Sequence, residues 1–176
     1  MKTRLATGAL CSLLALPLPA LAAGNTSTYT DISGKDCQTI ELKEEPASSH
    51  LRCPGVAGYA LDLYDDDNRM SLDVVAPDGK SSALDYWQTI TWGFSSLGEK
   101  AEWRLGPNGQ PLALIVRVNA SENAEDSSKI TSYLAVAKIT AAATCVVAKI
   151  PPSAKANEEA RKAADSAAGR ACIESY

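Results

Sequence analysis

The chain has 176 residues, 45% of them hydrophobic and only 6% aromatic, and its 17 basic residues are outnumbered by 21 acidic ones for a net charge of −4. That is one ordinary domain's worth of polypeptide, long enough to bury a single sizeable core. The acidic surplus comes without a basic stripe and repels a phosphate backbone, so nucleic acid is excluded as a partner.

The first element is a leader. Lys2 and Arg4 give a positive start, Leu5 to Leu16 an apolar run, and Ala20-Leu21-Ala22 a small-x-small cleavage pattern. The run is too short to span a bilayer and no stop-transfer segment follows it, so residues 1–23 read as a cleaved export signal and no membrane span is expected. Cleavage removes Lys2 and Arg4, leaving 15 basic against 21 acidic residues, a net charge of −6. Residues 24–176 then form one exported domain, periplasmic or secreted. Cys11 leaves with the leader, and Cys37, Cys53, Cys145 and Cys172 remain. An even count in an oxidising compartment predicts two disulfides. Three pairings are open; Cys37–Cys53 with Cys145–Cys172 is preferred because each bond closes a segment that folds back on itself.

From Thr28 onward short β-type runs alternate with turn residues. Tyr59, Leu61 and Leu63, then Met70, Leu72 and Val74, each present one apolar face with period two, and Asp65 to Asn68 lie between them. Residues 58–76 therefore predict an antiparallel hairpin, followed by a Pro77-Asp78-Gly79 turn and a strand over Ser82–Trp87. Glu102–Leu105 leads through Gly106-Pro107-Asn108-Gly109 into Leu112–Val118, whose Ala113-Leu114-Ile115-Val116 is apolar on both faces, as in a central strand. A polar loop over Asn119–Ser128 precedes strands at Ile130–Ile139 and Thr144–Ile150. Beyond Pro151-Pro152, Asn157 is placed to cap a helix. Glu158 and Glu159 lie in its first turn, Ala160, Ala163, Ala164, Ala167 and Ala168 on one face, and Gly169 at its stop. The fold class is α+β: a mostly antiparallel sheet or small barrel with a C-terminal helix and two disulfides.

Most reaction chemistries lack their residues. His50 is the sole histidine, it stands beside Ser48 and Ser49 rather than across a cleft from them, and no Gly-x-Ser-x-Gly elbow is present. No catalytic residue is assigned. One histidine and widely spaced cysteines give no metal set, and no cofactor is expected. Asp62, Asp65, Asp66, Asp67 and Asp73 crowd one hairpin. A hydrolase needs two carboxylates facing each other across a substrate, whereas this crowding is local to a predicted turn, and a solvated turn is the preferred explanation. The aromatic residues are bunched instead of spread: Tyr86, Trp87, Trp92, Phe94 and Trp103 hold all three tryptophans and the one phenylalanine. Such a bunch forms either the centre of an aromatic-poor core or a binding patch. Gly93 and Ser95 to Gly98 predict an irregular loop, which favours exposure of one or two rings.

Tyr29-Thr30-Asp31, Cys37-Gln38-Thr39-Ile40, Cys53-Pro54-Gly55-x-x-Gly58-Tyr59 and Ser132 to Ile139 resemble segments of small uncharacterised exported proteins from Gram-negative bacteria. The resemblance covers most of the mature chain and implies a compartment and a stapled fold, but no activity. The leading expectation is a non-enzymatic exported binding module that presents Tyr86, Trp87, Trp92, Phe94 and Trp103 to a protein, glycan or small apolar ligand. The alternatives are an exported hydrolase using carboxylates of the Asp62–Asp73 hairpin, and a structural protein of the envelope.

Overall fold

The computed structural model describes residues 24–174; the leader expected over residues 1–23 lies outside the described residues. Ten strands, β1 (Thr26–Asp31), β2 (Gln38–Lys43), β3 (Ser48–Pro54), β4 (Ala60–Asp66), β5 (Arg69–Val75), β6 (Ser81–Ala83), β7 (Phe94–Leu105), β8 (Pro111–Ser121), β9 (Ile130–Ile139) and β10 (Thr144–Ile150), are joined by two helices. Helix α1 (Tyr86–Thr89) is a single turn between β6 and β7, and α2 (Ala156–Asp165) ends the domain with a 3-10 turn at Ala167–Gly169. The strand order is β10-β9-β8-β7-β5-β4-β3-β2, with β1 added to β7 and β6 to β5. All pairings are antiparallel except one parallel bridge between Arg69 and Ser95, where β5 meets β7. The sheet stays open, so of the two expected architectures the barrel is not the one that forms.

That single bridge divides the sheet. Leu61, Leu63, Leu72 and Val74 from β4 and β5 pack in one cluster with Trp103, Leu114, Val116 and Ala137 from β7, β8 and β9, so the two halves lie face to face over a shared core. The middle of strand β8 is covered twice: Leu114 and Val116 join this core while Ala113 and Ile115 pack with α2, which is why Ala113–Val116 is apolar at every position. The alanine face of α2 seats Ala160, Ala163 and Ala164, joined by Ala167 of the 3-10 turn, against Ala113, Leu134 and Val136; the α-helix stops at Asp165, short of the expected Gly169, and Ala168 is exposed. The expected Asn157 cap does not form, because the helix already begins at Ala156 behind Lys155.

Methyl groups alone hold a helix weakly, and a polar clamp supplements them. Arg104 donates from Nε and Nη2 to Asp165 at 3.0 and 2.7 Å, and Arg161 donates from Nε to Glu102 at 2.6 Å. Ser27 joins the two pairs, donating to Glu102 and accepting from Arg104 Nη1 at 2.7 Å. Burial pushes the Glu102 carboxyl up, but its bonds from Arg161 and Ser27 outweigh this and hold it below its ordinary value.

Both preferred disulfides are present, Cys37–Cys53 and Cys145–Cys172. The second carries the chain end back to β10, where the Ile173 N–H donates to the Val146 carbonyl at 2.8 Å. Two local expectations fail. The strand placed over Ser82–Trp87 stops at Ala83, because Asp85 takes a left-handed φ of 46° and the Tyr86 N–H turns to Ser71 Oγ. The loop expected at Gly93 and Ser95–Gly98 is irregular only at Gly93; Ser95–Gly98 lie in the first half of β7, bulged between Leu97 and Ala101 and paired with the last residues of β8.

Candidate functional site

The aromatic bunch separates into three environments. Trp103 and Tyr86 are fully buried and belong to the core, so neither lines a surface site. The Trp103 indole donates to Thr30 Oγ1 at 2.9 Å and lies so close to Gly55 that a Cβ there would strike both the ring and the Tyr59 carbonyl. Trp87 is half-buried, on the far side of α1, beside His50 and Tyr64. Only Trp92, 78% exposed, and Phe94, 48% exposed, stand together at the surface.

They stand where β7 begins, and the reason is local. Gly93 runs against the Ser121 carbonyl with no room for a side chain, which permits the two flanking aromatic residues to leave the backbone there. The Gly93 N–H donates to Thr91 Oγ1 at 3.2 Å, and the Ser95 N–H donates to the Asn68 carbonyl at 2.8 Å. Trp92 and Phe94 form one wall of a depression of about 480 Å³ that is also lined by Arg69, Ser121, Glu122, Asn123 and Ser127. This falls within the ~300–1,000 Å³ range of ligand clefts.

The opposite wall is held in place by its own side chains. Asn123 Oδ1 accepts from the Glu125 N–H at 2.9 Å, Ser121 donates to the Ser127 carbonyl, and Glu122 accepts from the Tyr133 hydroxyl at 2.7 Å. That bond to Glu122 pushes the Tyr133 phenol up to about 12, and Lys149 lies 4.0 Å from the Tyr133 ring centre. Arg69 stacks 5.0 Å from the Phe94 centroid while bonding Asp67 at 3.1 Å. Wall and platform are therefore fixed without a ligand, which lowers the ordering cost of binding. Arg69, Glu122, Asn123 and Ser127 had no signal in the sequence: they meet Trp92 only through the β7–β8 pairing and the Arg69–Ser95 bridge.

Of the carboxylates of the Asp62–Asp73 hairpin, only Asp62 and Asp73 are brought face to face, across β4 and β5. Asp62 is buried with both oxygens engaged by Arg52, at 2.7 and 2.6 Å; burial raises its carboxyl, but Arg52, helped by His50, brings it below the ordinary value. Its strand partner Asp73 accepts from Ser81, yet burial and the neighbouring Asp62 and Asp85 hold it above. Asp66 and Asp67 are exposed at the turn. His50 stacks on Tyr64 with ring centroids 4.4 Å apart, and its Nε2 lies 3.4 Å from Asp62 Oδ2. Among the described residues no group of three or more histidines, cysteines or carboxylates is placed to hold a metal ion, and no helix is long and apolar enough to cross a membrane. Comparison with protein-family models, curated proteins and solved structures finds no match.

Proposed function

We propose that this protein is an exported, disulfide-stapled binding module whose ligand rests on Trp92 and Phe94. The supporting observation is the exposure of these two rings side by side over a preformed depression with a polar wall. A tryptophan left four-fifths in water forgoes one of the largest burial gains open to any residue, and rigid aromatic anchors are what binding surfaces employ. The hydrolase reading fares worse, because Asp62 is consumed by Arg52 and Asp73 accepts from Ser81. A purely structural envelope role leaves the concave aromatic site without a use. The leader pattern and the two disulfides support export.

The test uses the mature protein and its tryptophan emission. Trp103 is sealed and Trp92 open, so a ligand on the platform shields emission from acrylamide quenching by an amount that disappears in Trp92→Ala. Neutral oligosaccharides, short peptides and apolar amphiphiles serve as probes. Failure of every class to produce a Trp92-dependent change would overturn the assignment, as would recovery of the unprocessed chain from the cytoplasm with free thiols.

A further inference from the structure

Antiparallel pairing across β2, β3 and β4 sets Glu41, His50 and Tyr64 in one row of the sheet and Lys43, Ser48 and Asp66 in the next. By the alternation of a strand, both rows lie on the face turned away from Leu61, Leu63 and the shared core. Trp87, carried by α1, joins His50 and Tyr64 in lining a hollow of about 420 Å³ on that face. The hollow has no lining residue in common with the Trp92 groove. Going beyond the Trp92 site, we propose that this hollow is a second binding site, whose ligand is a quaternary ammonium group held against the rings of Tyr64 and Trp87.

The rings come first. His50 backs one face of Tyr64, with centroids 4.4 Å apart and planes 20° from parallel, and leaves the other face free of it. Trp87 pairs with no other ring among the described residues. A tryptophan or tyrosine face attracts a cation, and the chain's own cations use this elsewhere: Arg69 lies over Phe94 and Lys149 over Tyr133. Among the described residues no lysine or arginine lies over Tyr64 or Trp87 in that way. Lys43, the lysine on the wall, is drawn to Glu41 at 3.1 Å, and Arg52 is engaged by Asp62. The ring faces are left for a cation from outside.

Charge selects the occupant. The wall carries Glu41, Asp65 and Asp66 against Lys43, and Asp62 and Asp73 on the same face are offset only by Arg52, with His50, when protonated, answering Asp62 at 3.4 Å. Asp73 registers this field: burial first, then Asp62 and Asp85, hold its carboxyl above the ordinary value. An anion is repelled here. A hard metal ion needs convergent oxygens, and among the described residues no three histidines, cysteines or carboxylates are placed to supply them. A primary ammonium needs acceptors in contact with its three N–H groups, whereas Glu41 is taken by Lys43. A quaternary ammonium carries no N–H. It turns alkyl groups to the rings and meets the carboxylates through space, so none of them has to reach it, and the hollow has the volume of a small-molecule site.

The experiment titrates the mature protein at pH 8 with choline and with tetramethylammonium by calorimetry, beside the alcohol in which carbon replaces the charged nitrogen of choline. Choline is predicted to bind at least about tenfold more tightly than this uncharged isostere, and Trp87→Ala and Tyr64→Leu each to weaken it about tenfold, between the exposed and the desolvated worth of a cation–π contact. Lys43→Ala removes a like charge and tightens binding about twofold, a gain that a merely structural hollow does not give. Trp92→Ala leaves choline binding unchanged. Should Trp87→Ala lose its circular dichroism, the isostere ratio and Lys43→Ala decide. Competition by phosphatidylcholine vesicles makes the source a membrane head group, and its lack a free solute; both keep the site. Equal affinity for choline and its isostere, no binding of either ammonium ion at millimolar concentration, or binding that Trp92→Ala abolishes would each overturn it. Failure of the ammonium ions leaves the Trp92 reading standing, because the two hollows share no residue.

Discussion

Two tryptophans eleven positions apart are predicted to respond to alanine in opposite ways. Trp103 is wholly buried, packed against Tyr59 with ring centroids 6.2 Å apart, and its indole is the donor to Thr30 Oγ1. Its replacement by alanine leaves a large cavity between the two sheet halves and strands the Thr30 hydroxyl, for a loss of about 3–5 kcal/mol. Trp92 keeps only about a fifth of its surface from water. Taking some 250 Å² for the side chain and ~25 cal/mol per Å², the ceiling on its contribution is roughly 1.4 kcal/mol, and the realised value is smaller because the denatured chain also hides part of that surface. Guanidinium denaturation followed by far-UV circular dichroism, with disulfides intact, separates the two: the midpoint drops steeply for Trp103→Ala and barely for Trp92→Ala at unchanged slope. Equal losses in the two variants would refute the division of the aromatic bunch into core and surface, and with it the site.

Three further outcomes follow from the same geometry. Glu102 has its carboxyl lowered in the fold, so its stabilisation is present above the unfolded value of about 4.3 and is lost as pH falls through the lower folded one. Glu102→Gln is therefore less stable than the parent by roughly 1 kcal/mol at pH 7, after discounting for solvent at the half-exposed Arg161; denaturation at successively lower pH should show the gap narrowing below the unfolded value. Asp73 runs the other way. Its carboxyl is raised in the fold, so the charged form is unfavourable above that value, and Asp73→Asn stabilises by a few tenths of a kcal/mol at neutral pH. That advantage shrinks as pH falls through the raised folded value and is gone below the unfolded one of about 3.9, and a destabilised variant at pH 7 would contradict it. Replacing Cys145 and Cys172 together by alanine opens a bond spanning 27 positions and costs ~3 kcal/mol by chain entropy. Hydrogen exchange should then rise first in α2 and in the Ile173 contact to β10, and uniform protection loss would argue against a local tether.

The second half of the chain was the more legible. Ile130–Ile139 and Thr144–Ile150 form strands at the expected bounds, and the doubly apolar Ala113–Val116 is sandwiched as a central strand requires. These segments carry their signal in their own side chains. The first half of β7 carries none: Ser95, Ser96 and Gly98 have no apolar alternation, and their strand exists because β8 supplies the partner edge. Tyr86 turned into a helix for a reason held by Ser71, fifteen positions away. The candidate site shows the same asymmetry. The aromatic bunch marked Trp92 and Phe94, but its composition could not separate them from Trp103 and Tyr86, since identical side chains serve core and surface.

The clamp between α2 and the first strand has a consequence for how the molecule comes into being. Asn25 Nδ2 donates to Asp165 across 140 positions, and the same carboxylate receives Arg104. A chain emerging from its amino terminus holds Glu102 and Arg104 without counter-charges until its last segment arrives. Closure must therefore await delivery of the last helix, and a product clipped just before Asp165 is left with the Arg104 charge stranded in a half-dry seam.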